Sequence, residues 1–133
     1  MAKLTDEQRA FLANPYVATA TTLREDGSPH NTIVWIDAEG DDVVFNTAEG
    51  RAKPRHLRAN PQVAITVVDP QNTHKWISVS GRAELTREDA DDHIDRLAKK
   101  YLGKDTYPWH DPSSPRLKVR IRAEHIDAVG LDG

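Results

Sequence analysis

Along most of the chain apolar and polar residues alternate, or apolar residues gather in short runs, with turn residues between them. Segments 16–23, 30–36, 43–47, 63–68, 75–85 and 117–121 read this way as strands, with a further extended piece at 126–129. The turns are marked by Asp26-Gly27, by Glu39-Gly40-Asp41-Asp42 and by the stretch from Asp69 to Thr73. Segment 63–68 has almost no polar break, which predicts burial on both faces. Helical signals are fewer. Thr5 and Gln8 are spaced as a capping box ahead of a short helix ending at Asn14-Pro15. From about Thr86 the apolar residues Ala90, Ile94, Leu97, Ala98 and Tyr101 fall on one helical face, opposite Asp91, Asp92, Asp95, Lys99 and Lys100. Segment 103–115 carries Pro108, Pro112 and Pro115 and reads as a loop with two aromatics, Tyr107 and Trp109.

Six or seven antiparallel strands joined by tight turns, with helices only at crossovers, predict a mainly β fold: a closed or nearly closed barrel. Strands one to three follow each other with no helix between them, which disfavours a parallel α/β fold. The length of 133 residues fits a single domain, 1–133.

Charge changes this picture at one place. The chain carries a net charge of -3, yet Arg51, Lys53, Arg55 and Arg58 fall within eight positions that hold no acid. They follow a strand and Gly50, and segment 52–59 reads as a short helix closed by Asn60-Pro61. Pro54 fits only in its first turn, where a missing N–H costs little. A strand, a glycine turn and a helix start flanked by cations form an anion site, because free N–H groups and the positive helix end converge there. A solvated basic helix is the plainer reading of the same residues.

Other chemistry is thinly represented. With no cysteine there is no disulfide, thiol nucleophile or cysteine-bound zinc. No G-x-S-x-G, P-loop or G-x-G-x-x-G motif occurs. The six histidines form no H-x-H or H-E-x-x-H pair, so no metal site is expected; one assembled from His30, His56 and His74 is the weaker alternative. The overall charge argues against a nucleic-acid binder, and no apolar run approaches the ~20 residues that cross a bilayer. Without a signal-like N-terminus the chain is expected in the cytoplasm. A self-contained hydrolase is poorly supported, so an enzyme of this kind would leave the hard chemistry to a cofactor.

The order of these pieces resembles the pyridoxamine-phosphate-oxidase-like superfamily of split β-barrel flavin- and deazaflavin-binding proteins, in particular its deazaflavin (coenzyme F420)-dependent reductases. The residues that carry the resemblance are Ala18-Thr19-Ala20-Thr21, Asp26-Gly27-Ser28-Pro29-His30 and Ile33-Val34-Trp35. They continue through the stretch from Val44 to Leu57, Asn60-Pro61, and the stretch from Ser78 to Leu85. The resemblance implies that Arg51 and Lys53 hold the cofactor phosphate at the start of the helix carrying Pro54. It implies that Asn46 and Thr47 line the phosphate and ribityl portion, and that Thr32, Ile33, Val34 and Trp35 lie along the tricyclic ring. It further implies a homodimer with the cofactor at the interface, Trp76 and Ser78 being contributed by the second subunit. No side chain need be a covalent catalyst; His30 and Tyr107 are conceivable proton donors by residue type alone. The expected function is hydride transfer from reduced F420 to a small unsaturated substrate. The alternatives are an FMN-dependent oxidase or flavin reductase of the same fold, or a cofactor carrier without turnover.

Overall fold

The computed structural model describes residues 2–131. Helix α1 (Asp6–Leu12) opens with the expected capping box, in which Thr5 Oγ1 accepts from Gln8 N and the Gln8 side chain accepts from Thr5 N, each at 3.0 Å. It is followed by β1 (Ala18–Leu23), β2 (Pro29–Val34), β3 (Ile36–Glu39) and β4 (Asp42–Ala48). Helix α2 (Ala52–Ala59), β5 (Gln62–Asp69), β6 (Asn72–Thr86), α3 (Ala90–Leu102) and β7 (Arg116–Val129) complete the chain. The seven strands form one antiparallel sheet in the order β2-β1-β5-β6-β7-β4-β3. The sheet curls around a core that includes Phe45, Ile65, Val67, Ile77, Val79, Val119 and Ile121. This is the split-barrel architecture expected of the sequence.

Its edges are β2 and β3, and the split between them falls at Trp35. The sequence reads 30–36 as one strand. In the structure Val34 pairs with Ala18 while Ile36 pairs with Phe45, so the chain changes partner across a single residue. Alternation alone cannot show that change, because it sets which face a residue takes and not which strand it meets. Backbone groups left without ladder partners at the split are met from α3. Tyr101 Oη donates to Tyr16 O (2.6 Å) and accepts from Ile36 N (3.1 Å), and Lys100 Nζ donates to Leu12 O (2.6 Å) and Ile36 O (2.7 Å). Burial pushes the Tyr101 phenol up to about 12, which keeps it a neutral donor.

Two further expectations are corrected. Strand β5 is buried on one face only: Val63, Ile65 and Val67 face the core, while Val68 is 40% exposed. Short apolar side chains on its outer face, Ala64 and Val68, gave the run its unbroken look. The two extended pieces at 117–121 and 126–129 are one strand, β7, paired with β6 through a bulge at Ser80–Gly81. At Gly81 a Cβ would stand 1.9 Å from the Arg122 carbonyl oxygen, so the close strand crossing there requires glycine.

Candidate functional site: an acid-free cationic cleft

A cleft of 170 Å³ opens where the end of β2, the middle of β4, the start of α2, one face of α3 and the start of β7 meet. Its apolar and aromatic wall includes Ile33, Trp35, Tyr107 and Trp109, and its cationic end is Arg51, Lys53 and Arg116. Trp35 stacks on Tyr101 with ring centroids 5.3 Å apart and planes 8° from parallel. Tyr107 stands edge-on to Trp35 (6.1 Å) and to Trp109 (5.5 Å), and Trp109 is 63% exposed at the mouth. The loop is pinned by Asp95, whose Oδ1 accepts from Tyr107 N (2.8 Å) and meets His110 Nε2 at 3.1 Å.

The cationic end follows from local sequence. Gly50 takes φ +87°, a conformation that lets the chain turn from β4 into α2. Arg51 is the N-cap and offers no side-chain acceptor, and the first turn contains no acid. The N–H groups at the start of α2 therefore have no side-chain cap, and the Arg51 and Lys53 side chains that line the cleft come from the same turn. Lys53 is only 9% exposed and has no carboxylate within ion-pair distance among the described residues. Burial first, then the charges of Arg51 and Arg116, hold its ammonium below the usual lysine range. A buried ammonium without a counter-ion is costly, so this arrangement suits an anion that arrives from outside.

Of the residues singled out by the sequence, Ile33, Val34, Trp35, Asn46, Arg51 and Lys53 come together around this cleft. Thr32 and Thr47 have buried hydroxyls without a partner and do not line it, and Pro54 is buried within α2. Asn46 is committed inward: its Nδ2 donates to Ala90 O (2.9 Å) and toward His93 Nδ1 (3.1 Å), and its Oδ1 accepts from Arg116 Nε (2.7 Å). Trp76 and Ser78 lie elsewhere, in a shallow hollow with Thr66, Asp127 and Val129 on the outer face of β5, β6 and β7. Of the two conceivable proton donors, Tyr107 lines the cleft. His30 lies on the far side of α2 with its ring 5.0 Å from that of His56. Arg58 is held bidentate by Glu49 (2.8 and 2.9 Å), which removes it from the free cations of the basic stretch.

Sequence reasoning missed Arg116. It is buried, and its guanidinium lies 5.1 Å from the centre of the Tyr107 ring. The signal was present in the alternation Arg116-Leu117-Lys118-Val119-Arg120-Ile121-Arg122, which puts four cations on one strand face.

Comparison with known proteins agrees with this fold. A pyridoxine/pyridoxamine 5'-phosphate oxidase of Pseudomonas entomophila is 30% identical over 115 residues, covering 85% of this chain and 49% of the oxidase. The chain thus spans about half the length of that relative. An F420H2-dependent biliverdin reductase of Mycobacterium tuberculosis is 23% identical over 124 residues, covering 93% of this chain and 87% of the reductase. Among solved structures, an F420 reductase superposes with a TM-score of 0.82 at 26% identity, covering 93% of this chain and 98% of its own. The sequence profile described as pyridoxamine 5'-phosphate oxidase matches residues 4–130. That match runs through every strand of the curled sheet, and the chain belongs to the pyridoxamine 5'-phosphate oxidase family.

Proposed function

We propose that this protein is a homodimeric oxidoreductase that binds the deazaflavin coenzyme F420 in the cationic cleft and reduces a small unsaturated substrate. The observation that carries the reading is the buried Lys53, left without a carboxylate beside Arg51 and the uncapped start of α2. A phosphate placed there meets two cationic side chains and backbone N–H donors. The wall of Ile33, Val34 and Trp35, with Tyr107 and Trp109 opposite, suits a flat apolar ring. Bound there, the reduced cofactor would supply the hydride. The protein's own residues hold the phosphate, orient the ring along β2 and exclude water with the aromatic loop.

Two features support a dimer. The cleft holds 170 Å³, below the roughly 300–1,000 Å³ of pockets that enclose ligands of this size, so a second wall is needed. Trp76 and Ser78, in the separate hollow on the outer face of β5, β6 and β7, are available to supply that wall to a second copy. The names of the reductase relatives favour F420, while the family as a whole favours FMN as the second reading.

Side-by-side titrations with F420 and FMN, followed by tryptophan fluorescence, test the choice, since Trp35 and Trp109 line the cleft. Micromolar or tighter F420 binding with weak FMN binding is expected. The reverse preference would move the protein to FMN chemistry, and binding of neither would remove the cofactor reading.

A further inference from the structure

Strand β7 presents Arg116, Lys118, Arg120 and Arg122 on the face that looks toward α3. Three of these four cations are neutralised by acids. Lys118 Nζ meets Glu39 (2.7 Å) and Asp89 (2.9 Å), Arg120 meets Glu39 (2.5 Å) and Asp42 (3.1 Å), and Arg122 meets Asp42 (2.8 Å) and Glu84 (3.1 Å). Arg116 sits on the same face and, like Lys118, is buried, yet no carboxylate lies within ion-pair distance of it among the described residues. It alone of the four lines the cleft.

In place of an acid Arg116 has an amide. Asn46 Oδ1 accepts from Arg116 Nε at 2.7 Å, which fixes one edge of the guanidinium; the Tyr107 side chain also hydrogen-bonds to it, and no carboxylate lies within ion-pair distance among the described residues. The amide cannot be turned over. Its other end faces Ala90 O, an acceptor only, so that end must be Nδ2. The second Nδ2 hydrogen then faces His93 Nδ1, which must be an acceptor, so His93 is neutral with its proton on Nε2. Nε2 is buried and has no partner of its own. The tautomer is therefore set by Asn46, and the arrangement serves the Arg116 end of the chain of contacts. An anion in the cleft needs donors, and Asn46 has none left to give.

We propose that Arg116 is a third anion-binding residue of the cleft and that Asn46 and His93 are positioning residues that aim its guanidinium. The proposal rests on the cofactor reading above. It replaces the expected direct contact of Asn46 with the cofactor by an indirect one. The ligand group is a phosphate or carboxylate oxygen pair, which a guanidinium edge meets with two parallel N–H bonds.

A double-mutant cycle on the full chain, read as dissociation constants for F420 and FMN, tests it. Arg116→Gln should weaken the better-bound cofactor roughly tenfold to a hundredfold, the range of a lost charge-assisted contact. Asn46→Ala should weaken binding about tenfold alone and add nothing in the Arg116→Gln background, because its effect passes through Arg116. An Asn46→Ala loss that persists in full in that background would mean direct contact and overturn the positioning role. Unchanged affinity in Arg116→Gln, with binding lost in Lys53→Met, would overturn the third cation while leaving the cofactor site intact. Unchanged affinity in both would remove the cofactor reading itself and this proposal with it. In case Asn46→Ala fails to fold, His93 gives an independent arm. His93→Asn keeps an acceptor near the Nδ1 position and should retain affinity, whereas His93→Leu should lose about as much as Asn46→Ala. Equal binding by the two would count against the proposal. Imidazole NMR of the cofactor-free protein at neutral pH should show His93 protonated on Nε2 alone, and a proton on Nδ1 would contradict the amide orientation.

Discussion

The face of β7 that looks toward α3 contains two electrostatic regimes within one strand. From Lys118 onward each cation has two carboxylates, and Glu39, Asp42, Asp89 and Glu84 link them into a continuous ladder. At Arg116 the ladder stops, and Arg116, Arg51 and Lys53 share a cleft with no acid. Both regions contain a buried lysine. Lys118 has two acid partners, and its charge is part of the folded structure. Lys53 has none, and a buried charge of this kind costs stability that the anion proposed above would offset. Uncompensated charge at comparable burial therefore separates the cleft from the ladder more sharply than charge count, which is similar in both.

The ladder should be the acid-sensitive region. His93 lies beneath it, and burial first, then Lys118 and Arg96, hold its imidazole down at about 4, against 6.5 in the unfolded chain. A folded pKa below the unfolded one means that the unfolded chain takes the proton first. Stability is full above pH ~6.5 and falls as pH drops toward 4, by on the order of 3 kcal/mol across that window. Below it Asp89 takes over: hydrogen bonds first from Arg96 and then from Lys118 hold its carboxyl below the usual range, and protonating it removes those partners. Denaturant midpoints measured from pH 7 to 4 should fall steadily in the wild type and stay flatter in His93→Asn. Parallel curves would mean that His93 is not the group responsible.

Lys118→Met gives the next largest effect. It takes from Glu39 and Asp89 their most buried cation, and should cost about 1–2 kcal/mol, below the roughly 3–5 of a fully buried pair because both acids are about a third exposed and keep Arg96, and Glu39 also Arg120, as partners. Chemical denaturation checks this, and an unchanged midpoint would erase the contrast between the two lysines.

How much of this was legible in the sequence depends on distance along the chain. The Thr5–Gln8 capping box, the limits of α2, and Arg51 and Lys53 at its start were readable because each depends on neighbours within a turn or two. The buried face of α3 was readable from its period at Ala90, Ile94, Leu97 and Ala98, but not at His93, which is buried, or at Lys100, which turns inward to Leu12 O and Ile36 O. The Trp35 split was not, since a residue that changes partner strand leaves the alternation unbroken. Arg116 was missed because its role arises from what does not sit beside it, and acids such as Glu39 and Asp89 find their cations only after β3, α3 and β7 have packed. Asn46 was singled out as lining a cofactor and does border the cleft, but the partners of its amide could not be read. Only the fold shows that all three of its hydrogen bonds go to Ala90, His93 and Arg116.

The smallest stability change is the most direct test of the cleft. Lys53→Met keeps the length and apolar stem of the side chain and removes only the buried, unpartnered charge. The cofactor-free variant should be more stable than the wild type, by about 1 kcal/mol, and should bind F420 and FMN far more weakly. A variant that lost stability as Lys118→Met does, or bound cofactor as tightly as the wild type, would contradict the assignment of Lys53 to ligand binding.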